Sequence, residues 1–156
     1  FLVYKPNFDD FYKDDQIVFG NLFHKLMSKI KYSFQFEKEA KLFLETENYK
    51  KNVLKEVIVL VRRTIESTAV SSYFTKEFEV ICEKEIFTKN KEIIVPDRVV
   101  VSPSNKHTIM EYKIGEKRDK DIIQIKKYAN ILTNMGLNVE NNILVYVGDS
   151  IEVIEV

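Results

Sequence analysis

Near residue 77 the spacing of the apolar residues changes from three-to-four to two, which limits the chain to a mixed fold with helices first and strands after. Before that point, Leu22, Phe23, Leu26, Met27 and Ile30 recur at helical spacing behind Gly20. Val53, Val57, Leu60, Val61 and Ile65 make a second stripe within a helix expected over 48–66. Short helices are expected over 36–46 and near 67–73. Beyond residue 77, Phe78, Val80 and Cys82 alternate with polar neighbours. Residues 92–101 predict a strand in which Pro96 marks an edge or a bulge. Asn105 and Lys106 mark a turn, and 107–113 predict the next strand, so the two strands are expected to form a hairpin. A helix over 120–134 is ended by Gly136, and strands at about 142–148 and 151–155 flank a turn at Gly148-Asp149-Ser150. Residues 1–19 are aromatic and acidic without a period and read as a docking segment. Residues 20–75 read as mainly helical and 77–156 as a strand-rich core. No repeat or low-complexity linker divides the chain, so 1–156 reads as one α/β domain.

Composition narrows the class further. Hydrophobic residues at 45% and charged residues at 31% exclude a disordered chain. Lys+Arg and Asp+Glu both number 24. That balance neither announces nor excludes a nucleic-acid partner, because a local basic groove is enough to bind phosphates. The single cysteine, Cys82, has no internal disulfide partner and reads as a buried strand thiol in a reducing compartment. No apolar run has membrane-span length and no signal-peptide layout opens the chain, so a cytoplasmic protein with no membrane partner is expected. The chain begins at Phe1, which suggests a piece of a longer polypeptide.

Three residues stand out chemically. In the strand over 92–101, Ile93, Val95, Asp97, Val99 and Val101 are expected on one face, which makes Asp97 an acid in an apolar row. A buried carboxylate is costly unless it is paired or holds a cation. Glu111 and Lys113, two residues apart on the next strand, share a face. If the hairpin forms, Asp97, Glu111 and Lys113 converge. Two carboxylates at short range repel unless a cation holds them, and oxygen ligands suit Mg²⁺ or Mn²⁺. A neighbouring lysine would then steady a hydroxide nucleophile or neutralise charge growing on a phosphate. The plainer readings are an Asp97 ion pair with a nearby Arg or Lys, and a Glu–Lys pair on a half-exposed strand.

The string Pro96-Asp97, a turn, then Glu111-Tyr112-Lys113 resembles the signature of the PD-(D/E)XK nuclease superfamily. Gln124 and Tyr128, one helical turn apart, are similar to the QxxxY motif of its RecB-like branch, and Gly20 to His24 resembles the branch's opening glycine-to-histidine motif. Asp97-Arg98-Val99 and Tyr112-Lys113-x-Gly115 match its wording around the two strands. The matches fall in the family's order over roughly residues 17–156. The closest resemblance is to the C-terminal nuclease domain of RecB/AddAB-type and UvrD/Rep-like bacterial helicase–nucleases. Glu at 111, where the branch often has Asp, and Ile114 before the glycine are small departures.

That resemblance implies a restriction-endonuclease-like core, with a central mixed sheet flanked by helices. It implies a Mg²⁺- or Mn²⁺-dependent deoxyribonuclease, expected to be an exonuclease of DNA repair or recombination. Its partners would be DNA and a helicase domain of the same polypeptide or complex. Asp97, Glu111 and Lys113 would be catalytic. His24, Asp97, Glu111, the Tyr112 backbone carbonyl and either Glu83 or Glu85 would hold the metal; Glu83 is favoured as nearer the apolar run at Val80–Cys82. Gln124 and Tyr128 would contact DNA or orient Lys113. Arg98 points to the opposite face from Asp97 and reads as a structural ion pair or a DNA-backbone contact. Lys117, Arg118, Lys120, Lys126 and Lys127 form a basic patch, a solvated helix face that beside such a site would position phosphates. His107, after a turn, is expected to be exposed. The alternative is a DNA-binding module of the same fold that serves a helicase without cleaving. The chain carries no Walker A loop, so ATP hydrolysis is not expected of it.

Overall fold

A computed structural model of the protein describes residues 13–156. Helices α1 (Lys13–Lys29), α2 (Phe36–Thr46) and α3 (Lys51–Glu66) come first, with 3-10 turns at Ser33–Gln35 and Ser71–Phe74. Strands β1 (Glu79–Cys82), β2 (Ile86–Phe87), β3 (Ile93–Ile94), β4 (Arg98–Val101) and β5 (His107–Ile114) follow. Helix α4 (Asp119–Asn134) then leads to β6 (Val139–Val147) and β7 (Ile151–Glu155). Five strands form one mixed sheet in the order β1-β4-β5-β6-β7, while β2 and β3 pair by themselves. Only β5 and β6 run parallel within the sheet, and α4 makes the crossover that parallel neighbours require. Among the described residues no helix is long and apolar enough to cross a membrane.

Strand alternation divides the sheet between two cores. Met110, Tyr112, Ile143, Val145 and Val147 face the cluster formed with α1–α3, while Ile109, Leu144 and Tyr146 face Ile125 and Leu132 of α4. The expected stripe of α3, from Val53 to Ile65, is buried. Each such aliphatic side chain stabilises the packed helix by roughly 1.5–3 kcal/mol.

Four expectations are corrected here. Of the expected docking segment, residues 1–12 lie outside the described residues, and 13–19 belong to α1. Gly20 therefore stands inside a helix rather than before one. Phe19 is buried beside Phe23 and Leu26, so the apolar stripe begins a turn earlier than the sequence suggested.

The strand expected over 92–101 is broken. Ile93 and Ile94 pair with β2, then Val95-Pro96-Asp97 leave the ladder before β4 begins. Proline has no N–H to donate, so the break falls where a continuous ladder could not. Ile93 is exposed, and Asp97 sits at the foot of β4 rather than in an apolar row.

His107 is buried rather than exposed, because it begins a strand with neighbours on both sides. Arg98 has no ion-pair partner among the described residues and is not open to DNA. It is 1% exposed, donates to the carbonyls of Ile30, Lys31 and Tyr73, and lies over the Phe74 ring at 4.0 Å. Its guanidinium ties the end of α1 and the 3-10 turn at Ser71–Phe74 to the sheet.

Candidate functional site

The expected hairpin forms, with Arg98 opposite Met110 and Val99 opposite Ile109. One residue further, the ladder gives way to side chains. The Asp97 N–H donates to Glu111 Oε1 at 2.9 Å, and the Tyr112 N–H donates to Asp97 Oδ2 at 2.7 Å. Each carboxylate thus takes a backbone donor beside the other, at the point where β4 and β5 part. The break at Pro96 frees the Asp97 amide for this.

His24, on the face of α1 turned toward the sheet, brings Nδ1 to 3.1 Å from Asp97 Oδ1 and 4.0 Å from a Glu83 carboxylate oxygen. Its ring packs edge-on against Phe23, and the Tyr112 ring lies 6.3 Å away. Glu83 ends β1 with φ of 49°, a left-handed conformation costly for a residue with a side chain. Its N–H donates to the Asp97 carbonyl at 3.2 Å, so the turn is held against the same residue. The left-handed step breaks strand alternation and separates Glu83 from Glu85, which is exposed and outside the cluster. His24, Glu83 and Asp97 offer ligand atoms all within 4.8 Å of one another. Glu111 stands beside this group, joined to it through the Asp97 N–H.

Lys113, two residues along β5, lies on the α4 side. Its Nζ is 3.7 Å from Glu111 Oε2 and donates to Gln124 Oε1 at 2.6 Å. Gln124 Nε2 in turn donates to the Tyr128 hydroxyl at 3.1 Å. The helical spacing of Gln124 and Tyr128 thus becomes a support that holds the lysine over the carboxylates. Asp121, one turn earlier, was not singled out from the sequence. It is buried, accepts the Tyr146 hydroxyl at 3.1 Å and caps α4 through the Arg118 N–H. An acid in the first turn of a helix was the available signal.

The electrostatics reflect two acids crowded in a poorly solvated place. Burial, and then the Asp97 charge, push Glu111 up to about 8. Burial and Asp97 also raise Glu83. For His24 burial works to lower the value, but the bond to Asp97 and the charges of Asp97, Glu83 and Glu111 outweigh it, so the imidazole is raised. The site gathers three carboxyl groups around one imidazole and one ammonium. Carboxylate oxygens with one imidazole are a donor set suited to a hard divalent cation.

The structure therefore brings His24, Glu83, Asp97, Glu111, Lys113, Gln124 and Tyr128 together. It does not bring in Glu85, Arg98 or Lys126, which is exposed on α4. Lys127 lines the groove beside Lys113 and pairs with Glu92. Lys117 pairs with Glu152, while Arg118 and Lys120 line the same groove as Lys127. Neither a family model nor a curated protein matches the chain.

Proposed function

We propose that this chain is a Mg²⁺- or Mn²⁺-dependent DNA nuclease domain with a restriction-endonuclease-like core, of the RecB-like PD-(D/E)XK kind. Its expected role is exonucleolytic cleavage in repair or recombination, beside a helicase of the same polypeptide or complex. One observation carries the reading: Asp97 and Glu111 interlock where two strands part, with Lys113 held above them by Gln124. A core needs no such arrangement, because a buried acid set against a half-buried one costs free energy that packing does not return.

His24, Glu83 and Asp97 would hold the cation, with Glu111 completing the set. When bound, a divalent cation there supplies Lewis-acid charge and a water made acidic enough to ionise near neutral pH. Lys113, fixed by Gln124 and Tyr128, points an ammonium at the place where a phosphate would gain charge. A fixed donor is worth more there than a mobile one because it needs no reorganisation during the reaction. Arg118, Lys120 and Lys127 lie along a groove that leads to Lys113, which suits a phosphate backbone.

The test is cleavage of end-labelled single- and double-stranded DNA by the purified chain with Mn²⁺, Mg²⁺ or EDTA. Metal-dependent cleavage lost in Lys113→Ala is expected. No cleavage of either substrate, or a Lys113→Ala variant as active as wild type, would sink the proposal.

A further inference from the structure

Two cavities open on either side of Lys113, which alone among the described residues lines both. The cavity of about 660 Å³ runs between α4 and the β2–β3 hairpin and has charged walls, including Glu92, Arg118, Lys120 and Lys127. The cavity of about 340 Å³ lies between the N-terminal half of α1 and the end of β5. Among the described residues, its lining apart from His24 and Lys113 is uncharged. Ile17, Phe19, Tyr112 and Ile114 give it an apolar wall, and Asn21 brings an amide group to it.

From this contrast we propose that the α1–β5 cavity is a base-binding subsite, which takes the nucleobase of the nucleotide whose phosphate lies at Lys113. The inference rests on reading the site as a phosphodiester hydrolase and adds where the substrate's base goes. A base has apolar faces and a polar edge, which match aliphatic and aromatic walls with the Asn21 amide among them. Phosphates match the charged groove instead. The volume is at the low end of the roughly 300–1,000 Å³ of small-ligand pockets.

Gly20 gives an independent reason. Glycine weakens a helix relative to alanine, yet Gly20 lies inside α1 without a positive φ. Among the described residues no close neighbour demands it either, since a Cβ there would meet none of their atoms within 4 Å. What its missing side chain does is leave the cavity wall open.

The experiment is calorimetric titration of the Mn²⁺-loaded protein with dAMP and with 2-deoxyribose 5-phosphate, on wild type and Gly20→Leu. Wild type is expected to bind dAMP at least about tenfold more tightly than the sugar phosphate. Gly20→Leu should erase that preference while binding the sugar phosphate as wild type does. Gly20→Ala, which adds one methyl to a helix that favours it, should lose part of the preference and serves if the leucine variant does not fold. Equal wild-type affinity for the two ligands, or a preference untouched by Gly20→Leu, overturns the subsite. DNA cleavage measured in parallel separates the two readings. Cleavage without a base preference refutes the subsite alone. A Gly20-dependent base preference without cleavage refutes the hydrolase and keeps the subsite.

Discussion

Asp97 and Glu111 are bound through each other's strands: Glu111 accepts the Asp97 N–H, and Asp97 accepts the N–H of Tyr112, the neighbour of Glu111. The acids are held close by these two backbone bonds. Their mutual repulsion is therefore stored in the fold, and it has a measurable pH signature.

Glu111 is raised to about 8, so its neutral form is the one the fold favours. The sign follows: its contribution is fully present below the ordinary carboxylate range near 4.5 and is lost as pH rises toward 8. In EDTA, wild-type stability is expected to fall relative to Glu111→Gln between those limits. At pH 8 the glutamine variant should be the more stable by about 1–3 kcal/mol. Thermal unfolding of both proteins from pH 5 to 9 measures this, and parallel curves would contradict it.

His24 is raised as well, so Mn²⁺ uptake at pH 7 is expected to release protons and to tighten with rising pH. Calorimetry in two buffers of different ionisation enthalpy reads the proton count. Asp97→Ala and His24→Ala should weaken binding by roughly a hundredfold and Glu83→Ala by roughly tenfold, with Glu85→Ala unchanged. A Glu85→Ala loss as large as that of Glu83→Ala would refute the assignment.

Lys113→Ala is expected to bind Mn²⁺ as wild type does and to cleave DNA roughly 10²–10³-fold more slowly. Gln124→Ala should lose about tenfold, because Lys113 keeps only its longer contact to Glu111. Tyr128→Phe removes only the outer bond of the chain and should cost less than Gln124→Ala. Single-turnover cleavage at saturating Mn²⁺ ranks the three, and a Tyr128→Phe loss exceeding that of Lys113→Ala would reverse this order of roles.

Arg98→Ala is expected to destabilise the fold by about 3 kcal/mol, since it takes the donor from the buried Ile30 carbonyl and the part-buried Lys31 and Tyr73 carbonyls and leaves a hole beside Phe74. Arg98→Lys should recover little of this, because an ammonium cannot reproduce the planar fork. Urea unfolding measures both. Unchanged stability with weakened DNA binding would restore the surface reading of Arg98.

The order of elements was legible in the sequence because periodicity is local. The change from helical to strand spacing, the α3 stripe, the β4–β5 hairpin and the helix carrying Gln124 and Tyr128 each follow from residues near one another in the chain. Alternation alone put Glu111 and Lys113 on one face, as the structure has them. Pro96 marked an edge or a bulge within one strand over 92–101, but not that the ladder would break there and free the Asp97 amide for Glu111.

Tertiary structure decided the rest, because it depends on which distant segments share space. Gly20 lies within α1 because Phe19 is drawn into the core beneath α1–α3. His107 is buried because β6, more than thirty residues later, covers its strand. Arg98 is a buried tie because the end of α1 and the turn near Tyr73 supply carbonyls at its tip. Glu83 rather than Glu85 meets Asp97 because a left-handed turn at the end of β1 breaks the alternation that made them equivalent. By itself the sequence determined that Glu111 and Lys113 share a face. Only the fold brought Asp97, His24 and Glu83 to them, since that meeting joins a helix, a turn and two strand ends whose proximity no local pattern encodes.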